Sequence, residues 1–118
     1  IPIYSSRGDT DAFLAYPYIF NRNGEWIGWV TAKREVYSVL GYYVGYLSKD
    51  PRILRKRATS TLKPRLQPPP HPGRIRIPAN VPLAPLLSEL THSVIDVLAE
   101  EPDRLHTMDA GELRQDLD

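Results

Sequence analysis

A length of 118 residues makes a single domain the default, and 15 basic against 14 acidic residues leave a net charge of only +1. The absence of cysteine excludes a disulfide framework and thiolate chemistry and suits a reducing compartment. No apolar run approaches the roughly 20 residues of a membrane span. The opening Ile1-Pro2-Ile3-Tyr4 lacks the layout of a secretory signal, so a soluble, cytoplasmic protein is expected.

The totals hide an uneven distribution. All eleven aromatic residues lie between Tyr4 and Tyr46. Residues 1–48 carry four basic and four acidic side chains, residues 49–76 nine Lys and Arg against Asp50 alone, and residues 77–118 two Arg against nine acids. A basic middle can signal nucleic-acid affinity. The simpler reading is that the basic and acidic segments neutralise each other, within the chain or across an oligomer.

In chain order, residues 1–57 read as an antiparallel β domain of short strands and tight turns. The run from Ala12 to Phe20 is broken by Pro17. Asn23-Gly24 is a strong hairpin signal, and the strand from Glu25 to Thr31 follows it. A second turn at Leu40-Gly41 leads into Tyr42 to Leu47, which repeats the earlier strand seventeen residues on. Gly24, Trp26, Gly28 and Trp29 thus map to Gly41, Tyr43, Gly45 and Tyr46. Gly24 and Gly41 sit where a turn needs positive φ. Gly28 and Gly45 are mid-strand, where a ring packed over the glycine is expected. Arg52 to Arg57 is the last strand.

Residues 58–81 form a proline-rich basic arm, since eight prolines fall between Pro64 and Pro85 and favour extended polyproline conformations. Arg74-Ile75-Arg76-Ile77 alternates and fits a short edge strand. Residues 82–118 are read as helical. Leu83, Leu87, Leu90, Val94 and Val97 recur at spacings of four and three, with Asn80 as a cap and Glu100-Glu101-Pro102 as the end. Thr107 is placed as the cap of a second short helix running through Leu113 and Leu117. The fold class is therefore α+β.

The tandem segment NGEWIGWV…YSVLGYYVGYL…RILR, within residues 13–57, resembles the bacterial 4-fold β-flower proteins. The resemblance implies a small β domain that assembles as a homotetramer about a fourfold axis, with no established catalytic role. The physical argument points the same way. Some 45 residues of β structure build a thin core, and each buried aromatic removes roughly 150–250 Å² from water. So many rings need covering by the helix or by other copies. In this reading Gly24, Trp26, Gly28, Trp29, Gly41, Tyr43, Gly45 and Tyr46 form the core and assembly surface, and the partner is a second copy of the chain.

Chemistry-bearing constellations are sparse. His92, Asp96 and Glu100 would share one helix face, although a solvated polar face is the simpler account, and no metal site or cofactor is expected. No Gly-x-Ser-x-Gly elbow occurs, and Asp9 and Asp11 read as turn residues after Gly8. The alternative to a non-enzymatic assembly module is a nucleic-acid-binding oligomer. It would use Arg52, Arg55, Lys56 and Arg57, within the basic segment 52–65, beside exposed rings.

Overall fold

Short β-branched and aromatic runs, punctuated by Ser, Asn, Thr and Gly, favour a meander of short strands. The computed structural model describes residues 1–57, 63–81 and 83–108. Eight strands pair antiparallel in chain order: β1 (Pro2–Tyr4), β2 (Thr10–Ala15), β3 (Tyr18–Asn21), β4 (Trp26–Val30), β5 (Glu35–Ser38), β6 (Tyr43–Leu47), β7 (Ile53–Lys56) and β8 (Val94–Asp96). One helical turn, α1 (Val97–Glu100), and a 3-10 turn at Pro102–Arg104 follow.

The strands fall into four hairpins, β1–β2, β3–β4, β5–β6 and β7–β8, built on one plan. Ile3, Ile19, Val36 and Ile53 hold matching positions in their first strands, and each is completely buried. In the first three hairpins that residue faces a small one, Ala12, Gly28 or Gly45. The register then slips, leaving Asp11, Ile27 and Val44 as the extra residue of a bulge. The next pair in each, Tyr4 with Thr10, Phe20 with Trp26 and Tyr37 with Tyr43, corresponds to Leu54 with Asp96 in the fourth. The turns repeat as well. Ser5, Asn21 and Ser38 donate their N–H to the carbonyls of Asp9, Glu25 and Tyr42, and their own carbonyls accept from Gly8, Gly24 and Gly41. The seventeen-residue repeat is thus a hairpin with its return turn. It has a further copy at residues 3–13, and in the fourth hairpin the arm stands in place of the tight turn.

The sheet curls until β1 returns to the β6–β7 turn, where the Tyr4 N–H donates to the Pro51 carbonyl at 2.9 Å. Its inner face carries Ile3, Ile19, Ile27, Val36, Val44 and Ile53, closed by Val97, Leu98 and Leu105. The seam is polar. Arg52 is only 2% exposed; it donates to the Ser6 hydroxyl and the Ser88 carbonyl, both at 3.0 Å, and pairs with Asp50 at 2.6 Å. The buried Asp96 carboxylate accepts from the Ser6 N–H at 2.5 Å and caps α1 through the Ala99 N–H.

Two expectations are corrected. The helix anticipated over residues 82–100 is a single turn, and among the described residues its leading leucines lie outside any helix, Leu83 and Leu86 being exposed. Pro85 removes a backbone donor, and the β-branched Val94 and Ile95 pair with the free edge of β7. His92 and Asp96 therefore share no helix face. The space beside Gly28 is filled by the Leu105 side chain and the Tyr37 carbonyl, and that beside Gly45 by the Leu54 carbonyl. Backbone approach, not an overlying ring, is what those positions accommodate. The second helix expected through Leu113 and Leu117 lies outside the described residues.

Burial by itself would raise the Asp50 carboxyl, but hydrogen bonds from Ser48 and Arg52 outweigh it and hold the group below its ordinary value of 3.8. A depressed folded-state value means a contribution fully present above the unfolded pKa and lost as pH falls below about 4. Asp50→Asn strands a buried guanidinium and is expected to lose about 2–4 kcal/mol at pH 7. It should also show a shallower loss below about pH 4 than the wild type. Urea unfolding across that range checks both, and parallel acid limbs would rule Asp50 out.

Candidate functional site: an aromatic face under a proline-rich belt

The outer face of the sheet gathers Phe20, Trp26, Trp29, Tyr37 and Val39, all buried, with Tyr18 and Tyr43 packed at their edge. Trp29 stacks on Tyr37 with centroids 5.2 Å apart, and Tyr43 meets Tyr37 edge-on at 5.7 Å. Both indoles are anchored, Trp26 Nε1 to the Gly28 carbonyl at 2.7 Å and Trp29 Nε1 to the Ser38 carbonyl at 3.1 Å. Tyr46, the last ring of the repeat, is half-buried and pairs across the sheet with Glu35 and Leu54.

What covers these rings is the arm. It runs as a belt past the turns of the first three hairpins in reverse order. The N–H of Leu66 donates to the Gly41 carbonyl at 2.9 Å, that of Ile75 to Gly24 at 2.9 Å, and that of Ala84 to Gly8 at 3.0 Å. These three anchors are evenly spaced along the arm, nine residues apart. The residue before each of the first two adds a side-chain bond: Arg65 Nε reaches the Leu40 carbonyl at 2.6 Å and Arg74 Nε the Asn23 carbonyl at 2.9 Å. Leu66 and Ile75 pack into the ring cluster. Between them the Tyr18 hydroxyl donates to the Pro70 carbonyl at 2.8 Å, and His71 meets Trp26 edge-on at 5.0 Å. A polyproline segment lacks donors but offers carbonyls, so a tyrosine hydroxyl and flat rings are its natural partners. Ile75 thus docks by one amide, where an edge strand was expected for its tetrapeptide.

Basic side chains at the site are occupied. Lys63 lies over the Tyr43 ring at 4.7 Å and pairs with Glu35, whose hydrogen bond raises the Lys63 pKa. Burial raises the Tyr37 and Tyr43 hydroxyls above their ordinary value, so both stay protonated donors at neutral pH. Arg52 is locked in the seam. Arg55 pairs with Glu101 at 2.7 Å, and Arg57 lies 3.7 Å from Glu100 while donating to the His92 carbonyl. Glu101 is held below the usual carboxylate range; burial opposes this, but Arg55 and Arg104 prevail. Of the four residues considered for nucleic-acid contact, only Lys56 is exposed and without a partner among the described residues, and the arm covers the ring cluster while Tyr16 and Tyr42 stay exposed. Among the described residues no group of three metal-ligating side chains forms, and no helix is long and apolar enough to cross a membrane.

Four like hairpins curled about a buried aliphatic core define a small fourfold β-repeat domain. The sequence carries the same assignment: the family model described as 4-fold beta flower protein matches residues 1–91, and the chain belongs to that family. No curated protein and no solved structure matches it. The match takes in three complete hairpins, the first strand of the fourth and the described belt through residue 91.

The turns also explain their glycines. Gly24 and Gly41 have φ of +80° and +90°, yet Arg34 holds φ of +65° at the same position of the β4–β5 turn. Positive φ alone therefore does not demand glycine. At Gly24 and Gly41 a Cβ would lie 2.0 and 1.9 Å from the carbonyl oxygens of Ile75 and Leu66, whereas at Gly8 it would meet nothing within 4 Å. Gly8→Ala is expected to cost about 1 kcal/mol for backbone conformation. Gly41→Ala should cost about 3 kcal/mol, because it also displaces arm hydrogen bonds worth roughly 0.5–1.5 kcal/mol each. Equal losses in urea unfolding would show that the arm is not the reason for the glycine.

Proposed function

We propose that this protein is a non-enzymatic assembly and interaction module that contacts copies of itself through its belt. The observation that carries the reading is a pair of exposed leucines on a pinned segment. Leu83 and Leu86 are 79% and 103% exposed. The segment is fastened on one side by Ala84 to the Gly8 carbonyl and on the other by Arg52 to the Ser88 carbonyl. Two leucines exposed beside each other on an anchored segment offer an apolar surface that a second copy can cover. Nearby Glu89 makes no ion pair among the described residues, and neither does Arg76 elsewhere on the belt, so charge is free to steer one copy onto another.

The reading departs from the sequence argument in one respect. The rings were expected to be covered by the helix or by other copies, and the belt supplies cover for the ring cluster within the chain. The fourfold character in the family's description has a counterpart in the four hairpins of a single chain, so it does not by itself call for four copies. Self-association, with a homotetramer as its closed form, rests on the leucine pair.

Light scattering coupled to size exclusion tests this. With 13.4 kDa per chain, a tetramer weighs about 54 kDa, and Leu83→Asp/Leu86→Asp is expected to fall to the single-chain mass with its fold intact. A wild type that elutes at one chain's mass at both low and high salt would end the proposal.

A further inference from the structure

The first hairpin departs from the repeat at one telling position. Bulge residues Ile27 and Val44 are 4% and 2% exposed and belong to the core. The corresponding residue of β1–β2 is Asp11. It borders a cavity of about 430 Å³ whose floor is Ile27, Leu98 and Leu105. That volume lies within the range of small-molecule sites, which favour the mouths of curled sheets. The Asp11 side chain is 16% exposed, yet its counter-ion Arg7, 3.1 Å away, is 61% exposed and approaches from the solvent side. Asp103 stands on the same rim.

We infer that this cavity binds a small organic cation, an amine with an apolar body. Its ammonium group would take the place of Arg7 on the Asp11 carboxylate, and its body would lie over Ile27, Leu98 and Leu105. A carboxylate set into an aliphatic floor selects such a ligand, because an anion meets the like charge of the largely buried Asp11 and a plain hydrocarbon leaves the acid's hydrogen-bonding capacity unused. Leu98 and Leu105 lie beyond the family match, which ends at residue 91. The site therefore combines the family's hairpin core with a C-terminal segment that the match does not reach. It is on the inner face of the sheet and does not depend on the belt or on self-association.

Titration calorimetry of the full chain at pH 7 with benzylamine, benzyl alcohol and benzoate isolates charge on one constant ring. Benzylamine is expected to bind at least about tenfold more tightly than benzoate, with the alcohol between them. Asp11→Asn should erase the advantage of the amine over the alcohol while leaving the alcohol's affinity in place. Arg7→Ala, which removes an exposed competitor and leaves the core untouched, should strengthen amine binding severalfold. Benzoate binding as tightly as the amine, amine affinity unmoved by both substitutions, or no binding of any of the three at millimolar concentration would each overturn the assignment.

Discussion

A backbone amide of the arm reaching the carbonyl of a turn glycine is the contact on which the rest of the structure depends. A four-hairpin sheet of this size has two apolar faces, and curling buries only the inner one. The outer face holds the indoles and phenols, whose burial contributes far more than any single hydrogen bond. Ring burial alone would not set where the arm lies, because dispersion contacts are non-directional. The amides of Leu66 and Ile75 fix the register, and they can do so only where the turn backbone is bare enough to approach. Nine residues of polyproline helix extend roughly 28 Å, whereas alternate turns of a sheet lie roughly 10 Å apart. The anchors, not the length of the belt, therefore decide its path.

The charge asymmetry of the chain resolves at the seam. Arg55 with Glu101 and Arg57 with Glu100 join the basic middle to the acidic C-terminal region, and Arg52 finds Asp50 within its own turn. Arg57 and Glu100 are about half exposed, whereas the Arg52 and Arg55 pairs act in a protected setting. Removing one partner there is costly even though forming the pair from solvated charges gains little. The seam thus selects one closure of the sheet more than it adds stability. Neutralisation within the chain, the simpler of the two sequence readings of the charge pattern, is what these pairs display.

Much of the fold was legible because the chain writes it locally. Turn glycines at 24 and 41, the break at Pro17 and the alternation around Trp26 to Val30 each act over a few residues. The copy at residues 3–13 escaped notice because it keeps the buried Ile3, the turn Ser5 and Gly8 but replaces the mid-strand glycine with Ala12 and an aromatic with Thr10. The helical reading of residues 82–100 failed for a non-local reason. Leucines at spacings of three and four also suit an extended chain whose amides are claimed elsewhere, and β8 forms only because β7, distant in sequence, offers an unpaired edge. The ring cover was missed for a related cause: prolines bar the arm from the sheet's ladder but not from its surface.

Where a chain repeats one hairpin four times, the shared positions report scaffold and the departures report use. Ile3, Ile19, Val36 and Ile53 agree, and nothing functional is to be read from them. Three of the departures bear on binding. The fourth turn becomes a belt, which converts a tight loop into a long external surface. The belt's third anchor carries Leu83-Ala84 where the first two carry Arg65-Leu66 and Arg74-Ile75, so it keeps the backbone contact but turns an apolar side chain outward. The first bulge carries an acid where its counterparts are aliphatic. Each substitution forgoes packing that the repeat shows to be attainable at that position. A fold this small has little stability to forgo, and that is the physical reason to look for binding at these three places before any other.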